Sequence, residues 1–124
     1  MQDGKHVILC VDDDPDILSF LKIVLEGEGY MVNEAASAEE GLRVYKATSP
    51  DLIIVDLMME EVDAGTSFVK ELKALGNKAP IYMLSSTGDN LAMATDYSSL
   101  GLSGVFQKPI AKEKLISMIK AKLG

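Results

Sequence analysis

Short apolar runs recur along this chain with room for one helix between successive runs, and no other feature restricts the fold as tightly. Val7-Ile8-Leu9-Cys10-Val11, Leu52-Ile53-Ile54-Val55 and Ile81-Tyr82-Met83-Leu84 carry no polar residue in alternation. Runs of four or five apolar residues bounded by turn formers are expected as strands buried on both faces, the signature of a parallel sheet covered by helices. The first strand is expected over about 5–11, a weaker one near 31–35 and a short one over 104–107. The run at 52–55, with four consecutive β-formers, is expected at the centre.

Helical signals fill the gaps. Asp14 is a candidate N-cap with Pro15 at the first helical position, where the ring's fixed φ suits the helix. Ile17, Leu18, Leu21, Val24 and Leu25 then form one apolar face, and Gly27 and Gly29 stop the helix. Ser37-Ala38-Glu39-Glu40 reads as a capping box opening a helix that ends near Thr48. A loop from Met58 to Ala64 leads to a third helix with Phe68, Val69, Leu72 and Leu75 on one face, ended by Gly76-Asn77. A helix rich in Ala, Ser and Thr is expected near 89–100. The last, about 111–123, buries Leu115, Ile116 and Ile119 and turns Lys112, Lys114, Lys120 and Lys122 to water. The sum is α/β: a (βα)5 doubly wound, parallel five-stranded sheet, read as one domain over 1–124.

Three of the strands end in charge. Asp12-Asp13-Asp14 follows the first, Asp56 the third and Lys108-Pro109 the fifth. Ligands of open parallel sheets sit at the carboxyl ends of the strands, so these groups are expected in one pocket. Carboxylates ~6 Å apart repel by roughly 3 kcal/mol per pair at an effective dielectric of 20, which a proton or a cation must relieve. Oxygen donors of this kind suit Mg²⁺. Asp56 reads as a carboxylate nucleophile toward a phosphoryl group, with Lys108 pairing to a phosphoryl oxygen and the Ser85 hydroxyl donating to it. Each residue alone has a plainer reading: a helix cap, a strand-end turn former, a solvated lysine, a turn serine. Pro109 restricts the backbone beside Lys108, and an X–Pro bond is one that adopts cis.

Together, Val-Asp-Asp-Asp-Pro-Asp at 11–16, Asp-Leu-Ile-Ile-Val-Asp-Leu-Met-Met at 51–59, Met-Leu-Ser at 83–85 and Lys-Pro at 108–109 resemble the receiver domain of bacterial response regulators. The likeness covers essentially the whole chain. It implies the flavodoxin-like strand order 2-1-3-4-5 and a phosphoryl group donated to Asp56 by a histidine kinase or a histidine phosphotransfer protein. It implies that Asp13 ligates Mg²⁺ directly and Asp12 mostly through water, with Asp56 and the backbone carbonyl of Met58 completing the set. It places Ser85 at the switch hydroxyl and Lys108 at the phosphate-pairing position. The chain also departs from the family pattern. Val105 stands where an aromatic is usual, with Phe106 one residue later on the opposite side of the strand. Glu60 stands where proline is usual, and Asp63-Ala64-Gly65 replaces the usual Asp-Gly.

Composition narrows the partners. A formal net charge of −7 argues against a nucleic-acid binder, which needs a concentrated basic face. No apolar stretch approaches the ~20 residues of a membrane span, and the N-terminal residues lack the apolar core of a signal peptide. The single cysteine, Cys10, lies in an apolar run and is expected to be buried and reduced, so the chain reads as cytoplasmic. Output would pass to a protein the sequence does not name. Two other readings compete: a scaffold of receiver shape that works without phosphate, and a Mg²⁺-dependent phosphatase of the haloacid-dehalogenase type. The second fits poorly, because Pro15 stands where Thr or Val is usual and there is no room for a cap domain.

Overall fold

In a computed structural model, residues 4–56, 64–85 and 102–123 are described, with 64–66 as backbone only. Five strands, β1 (Val7–Val11), β2 (Met31–Ala35), β3 (Leu52–Asp56), β4 (Ile81–Ser85) and β5 (Gly104–Gln107), form one sheet. Every pairing is parallel and the order is β2-β1-β3-β4-β5, as the family resemblance implied. Four helices are described: α1 (Pro15–Gly27), α2 (Ala38–Thr48), α3 (Ala64–Ala74) and α4 (Lys112–Leu123). The helix expected near 89–100, the loop residues Glu60 and Glu61, and Met58 lie outside the described residues.

All five residues of β1, β3 and β4 are buried, which is why these strands show unbroken apolar runs. Alternate residues go to opposite faces. Ile8, Cys10, Leu52, Ile54, Tyr82, Leu84 and Phe106 pack under α1 and α4 with Leu21, Leu25, Leu115 and Ile119. Leu9, Val11, Ile53, Val55, Ile81 and Met83 pack under α2 and α3 with Phe68, Val69 and Leu72. Val105 leans on that second layer while Phe106 lies in the first, its ring centroid 5.4 Å from that of Tyr82. The two residues thus occupy opposite faces of β5, as strand alternation predicts.

The helix starts follow the expected chemistry, with one difference. The Asp14 carboxylate accepts from the Asp16 N–H at 2.9 Å, and Pro15 opens α1. Ser37 Oγ accepts from the Glu40 N–H at 3.1 Å. The return bond of the box is displaced by one residue: Glu40 Oε1 accepts from the N–H of Ala36, at 2.7 Å, rather than from that of Ser37. Gly29 (φ 93°) and Gly76 (φ 82°) take the left-handed turns that end α1 and α3.

Four boundaries or burials differ from expectation. β1 begins at Val7 rather than near 5. Ala64, read as the end of a loop, is the first residue of α3. Leu75 falls past the end of α3 and is 50% exposed. Ile116 is only half-buried at the edge of the first layer.

The start of the sheet depends on Asp51. Its N–H donates to the Val7 carbonyl at 2.7 Å, and its carboxylate accepts from the Val7 N–H at 2.8 Å, closing the first rung between β1 and β3. Burial opposes the charge, but the carboxyl is held below the usual aspartate range, the hydrogen bond from the Val7 N–H being the largest of the influences that lower it. A depressed folded-state pKa gives stability that is present above the unfolded value of ~3.9 and lost as pH falls through the folded one. Asp51→Ala is therefore expected to cost about 1–2 kcal/mol at neutral pH, and less in acid, by urea unfolding. An unchanged unfolding midpoint at pH 7 would show that the rung closes without it.

Candidate functional site

The sheet brings the charged strand ends together because its backbone pairing runs past the strands themselves. Beyond Val11, the Asp12 N–H still donates to the Ala35 carbonyl at 3.0 Å. Beyond Gln107, the Lys108 N–H donates to the Ser85 carbonyl at 2.8 Å, and the Lys108–Pro109 peptide is cis. Asp56 and Ser85 are the last residues of β3 and β4. Each side chain therefore projects from a hydrogen-bonded frame, which fixes a site more closely than loops do.

Asp12, Asp13 and Asp56 each turn one carboxylate oxygen into a space where the three lie within 4.8 Å of one another. Asp12 is wholly buried and Asp56 is 4% exposed, while Asp13 is open to solvent. Lys108 Nζ sits between the two buried carboxylates, 3.4 Å from Asp12 Oδ2 and 3.3 Å from Asp56 Oδ1. Ser85 is buried at the end of β4.

The electrostatics are unbalanced. Burial holds the Asp12 carboxyl above the usual aspartate range, with Asp13 pushing the same way, against the pull of the Asp14 N–H and Lys108. Burial alone would depress the Lys108 ammonium, but Asp12 and Asp56 outweigh it and hold its pKa above that of a free lysine. Two carboxylates this close repel by about 3 kcal/mol at an effective dielectric of 20. With all groups ionised, three carboxylates and one ammonium leave two negative charges.

One atom tests whether a cation fits. Asp12 Oδ1 accepts from the Asp14 N–H at 2.9 Å, but among the described residues Asp12 Oδ2 is buried without a hydrogen bond and meets the long ion pair to Lys108. A buried carboxylate oxygen left this way costs free energy that a hard divalent cation recovers. The donors are all oxygens, and Asp13 stands open to water, which suits an ion that keeps several waters. Asp12, Asp13 and Asp56 could hold such an ion.

The structure brings together four of the side chains singled out in the sequence, Asp12, Asp13, Asp56 and Lys108, and sets Ser85 at the end of the adjoining strand, its carbonyl bonded to the Lys108 N–H. Met58, whose carbonyl was expected to complete the ligand set, lies outside the described residues. The Ala35 carbonyl that anchors Asp12 carried no signal of its own, being an ordinary alanine at the end of the weakest strand.

Cys10 lies one turn of the strand below the site and is fully buried. Burial pushes its thiol far up, with Glu34 and Asp12 adding to the effect. The thiolate is the reactive form. The native protein is thus expected to leave Cys10 unlabelled by a thiol reagent over the time in which the urea-unfolded chain reacts completely. Equal labelling in both states would contradict this burial.

Comparison with known proteins gives one consistent answer. A family model described as the response regulator receiver domain matches residues 8–120. The transcriptional regulatory protein GlrR of Escherichia coli is 36% identical over 112 residues, which are 90% of this chain and 25% of that protein. The chemotaxis protein CheY of Bacillus subtilis is 32% identical over 119 residues, covering 95% of this chain and 98% of that one. A CheY-like receiver domain protein of Methanospirillum hungatei superposes with a TM-score of 0.88 at 30% identity, over 97% of this chain and 94% of that chain. The chain spans about a quarter to a half of the length of several curated relatives it matches, among them the DNA-binding response regulator MtrA of Mycolicibacterium smegmatis. No described helix is long and apolar enough to cross a membrane.

Proposed function

Since the chain belongs to the family of response regulator receiver domains, we propose that residues 1–124 act as one phosphoacceptor switch, taking a phosphoryl group on Asp56. The donor is a phosphohistidine of a sensor kinase or a histidine phosphotransfer protein, and the product changes how the chain binds an output protein. The observation that carries this reading is Lys108 Nζ held between Asp12 and Asp56 beside the acidic trio.

In the reaction a carboxylate oxygen of Asp56 attacks phosphorus. The new O–P bond makes an acyl phosphate as the donor's N–P bond breaks, and the imidazole nitrogen keeps the bonding pair and takes up a proton. Asp12, Asp13 and Asp56, with the Met58 carbonyl, would hold the Mg²⁺, which supplies charge neutralisation for the phosphoryl oxygens. Lys108 pairs with one phosphoryl oxygen in place of a carboxylate, and the Ser85 hydroxyl donates to another. The frame of strand ends supplies orientation, and phosphoryl transfer needs little else from a protein. Such a domain is a signalling module, not a turnover catalyst for free phosphate esters.

A scaffold that never takes phosphate has little use for a buried carboxylate oxygen that finds no hydrogen bond among the described residues, so the phosphate-free reading has less support. Intact mass after incubation with Mg²⁺ and acetyl phosphate tests the proposal. One phosphoryl adduct is expected with the metal and none in its absence under EDTA. If the chain takes no adduct and binds no Mg²⁺ by titration, the site is vestigial and the scaffold reading stands.

A further inference from the structure

At the other end of the sheet, where β4 and β5 begin, lies a cleft of about 360 Å³ bounded by Lys73, Asn77, Lys78, Pro80, Ser103 and Lys122. It is separate from the acidic site: β4 alone, from Ile81 to Ser85, puts about 13 Å between the two at ~3.3 Å per residue. The volume falls in the range of small-molecule pockets, about 300–1,000 Å³.

Its charge is opposite to that of the protein. The chain carries −7 overall, yet three of its 12 basic residues meet at this cleft. Among the described residues none of the three is in an ion pair, whereas Lys108 and Lys120 both are. Among the described residues no acidic one lines the cleft.

A plainer role accounts for part of this. Lys73 and Lys122 stand in the last turns of α3 and α4, where a cation offsets the negative end of the helix dipole. Each helix end is equivalent to roughly half a negative charge. Two such ends against three ammoniums leave about two positive charges facing the cleft. Lys78 is on no helix, so the dipoles do not explain it.

The frame beneath the lysines is built rather than loose. Asn77 clasps its own loop, donating from Nδ2 to the Ala79 carbonyl at 3.0 Å and accepting the Ala79 N–H on Oδ1 at 3.1 Å. The Pro80 carbonyl accepts from the Ile53 N–H at 2.9 Å, and the Ser103 N–H donates to Ile81 at 2.8 Å. The backbone of the cleft is thereby tied to β3 and β4, which fixes where the exposed Lys78 and the exposed Ser103 stand. Ser103 adds a hydroxyl donor to the three ammoniums.

We propose that this cleft is an anion site for a small soluble molecule bearing a phosphate group, with about two negative charges to match the cleft. Lys73, Lys78 and Lys122 supply the charge and Ser103 a hydrogen bond. The site lies apart from the phosphoacceptor chemistry and does not depend on it.

The test is amide chemical-shift titration of the full chain, without Mg²⁺, using inorganic pyrophosphate and then AMP as probes. Saturable shifts are expected at Asn77, Lys78, Ala79, Ile81 and Ser103. The dissociation constant for pyrophosphate should rise tenfold or more in Lys73→Gln/Lys78→Gln/Lys122→Gln, and stay within twofold in Lys112→Gln/Lys114→Gln. All five lysines are exposed, so neither variant should disturb folding. The proposal fails if no saturable shift appears, if chloride at equal ionic strength gives the same shifts, or if both variants weaken binding alike. It also fails if only vesicles containing phosphatidylglycerol engage these residues, since the surface would then be a membrane contact.

Discussion

Replacing Asp56 with alanine is expected to abolish phosphoryl uptake from acetyl phosphate, with no adduct detectable at times when the parent chain is fully modified. The expected loss is complete because the variant removes the attacking atom, not an aid to it. Among the described residues no other carboxylate is placed to substitute. The buried Asp12 has one oxygen on the Asp14 N–H and the other against Lys108, and Asp13 is open to solvent. Asp13→Asn is the graded companion. It keeps the nucleophile but removes a unit charge within 4.8 Å of the other ligand oxygens. One charge at that range is worth more than ~1.4 kcal/mol toward a divalent ion, so Mg²⁺ binding should weaken tenfold or more. An adduct surviving on Asp56→Ala would move the acceptor elsewhere, and Asp12 would be the next residue to replace.

The second large effect is on stability. Lys108→Ala leaves Asp12 and Asp56 buried side by side without their shared ammonium. Breaking a buried ion pair by removing one partner costs about 3–5 kcal/mol, and we expect the low end because a carboxyl this close to another takes up a proton. The sign of the pH dependence follows. Asp12 already titrates above its ordinary range for reasons of burial, and losing Lys108 raises it further. A folded-state pKa that is raised gives stability that is full below the unfolded value and is lost as pH rises through the folded one. The gap between parent and variant should therefore be widest near pH 8 and narrow toward pH 4.5, measured by urea unfolding in EDTA. Mg²⁺ at a hundredfold excess over the variant's dissociation constant should stabilise the variant by about 2.7 kcal/mol over its value in EDTA. A gap below 1 kcal/mol at pH 8, or one that does not close in acid, would mean that Lys108 does not hold the two carboxylates in the folded state.

How much of this could be read before any coordinates depended on the range of each interaction. The central strands were legible because β1, β3 and β4 are buried on both faces and tolerate no polar residue. Asp14 and Ser37 were legible as caps because their partners are two and three residues away. The strand-end site was legible as a set because each member follows an apolar run. Other features depend on where the chain goes in three dimensions. Leu75 keeps helical spacing, but α3 ends before it. The Glu40 carboxylate reaches Ala36 instead of Ser37, a choice made by the path into the helix. Nothing local marks Asp51 as the closure of a rung with Val7, 44 residues away. The three lysines of the lower cleft look like ordinary solvated side chains until β4 and β5 bring residues 73, 78 and 122 to one place.

The strand order has a consequence for synthesis on the ribosome. After β1 and β2 pair, β3, β4 and β5 each add in turn to the same growing edge. A chain emerging from its N-terminus can therefore build the sheet outward without displacing a strand already docked. The acidic trio is complete once residue 56 has emerged, but the ammonium that pairs with it among the described residues arrives with residue 108. For the intervening stretch of translation the two carboxylates that Lys108 bridges in the folded domain are without it. Metal from the surrounding solution would then be the counter-charge open to them, before the chain's own ammonium arrives.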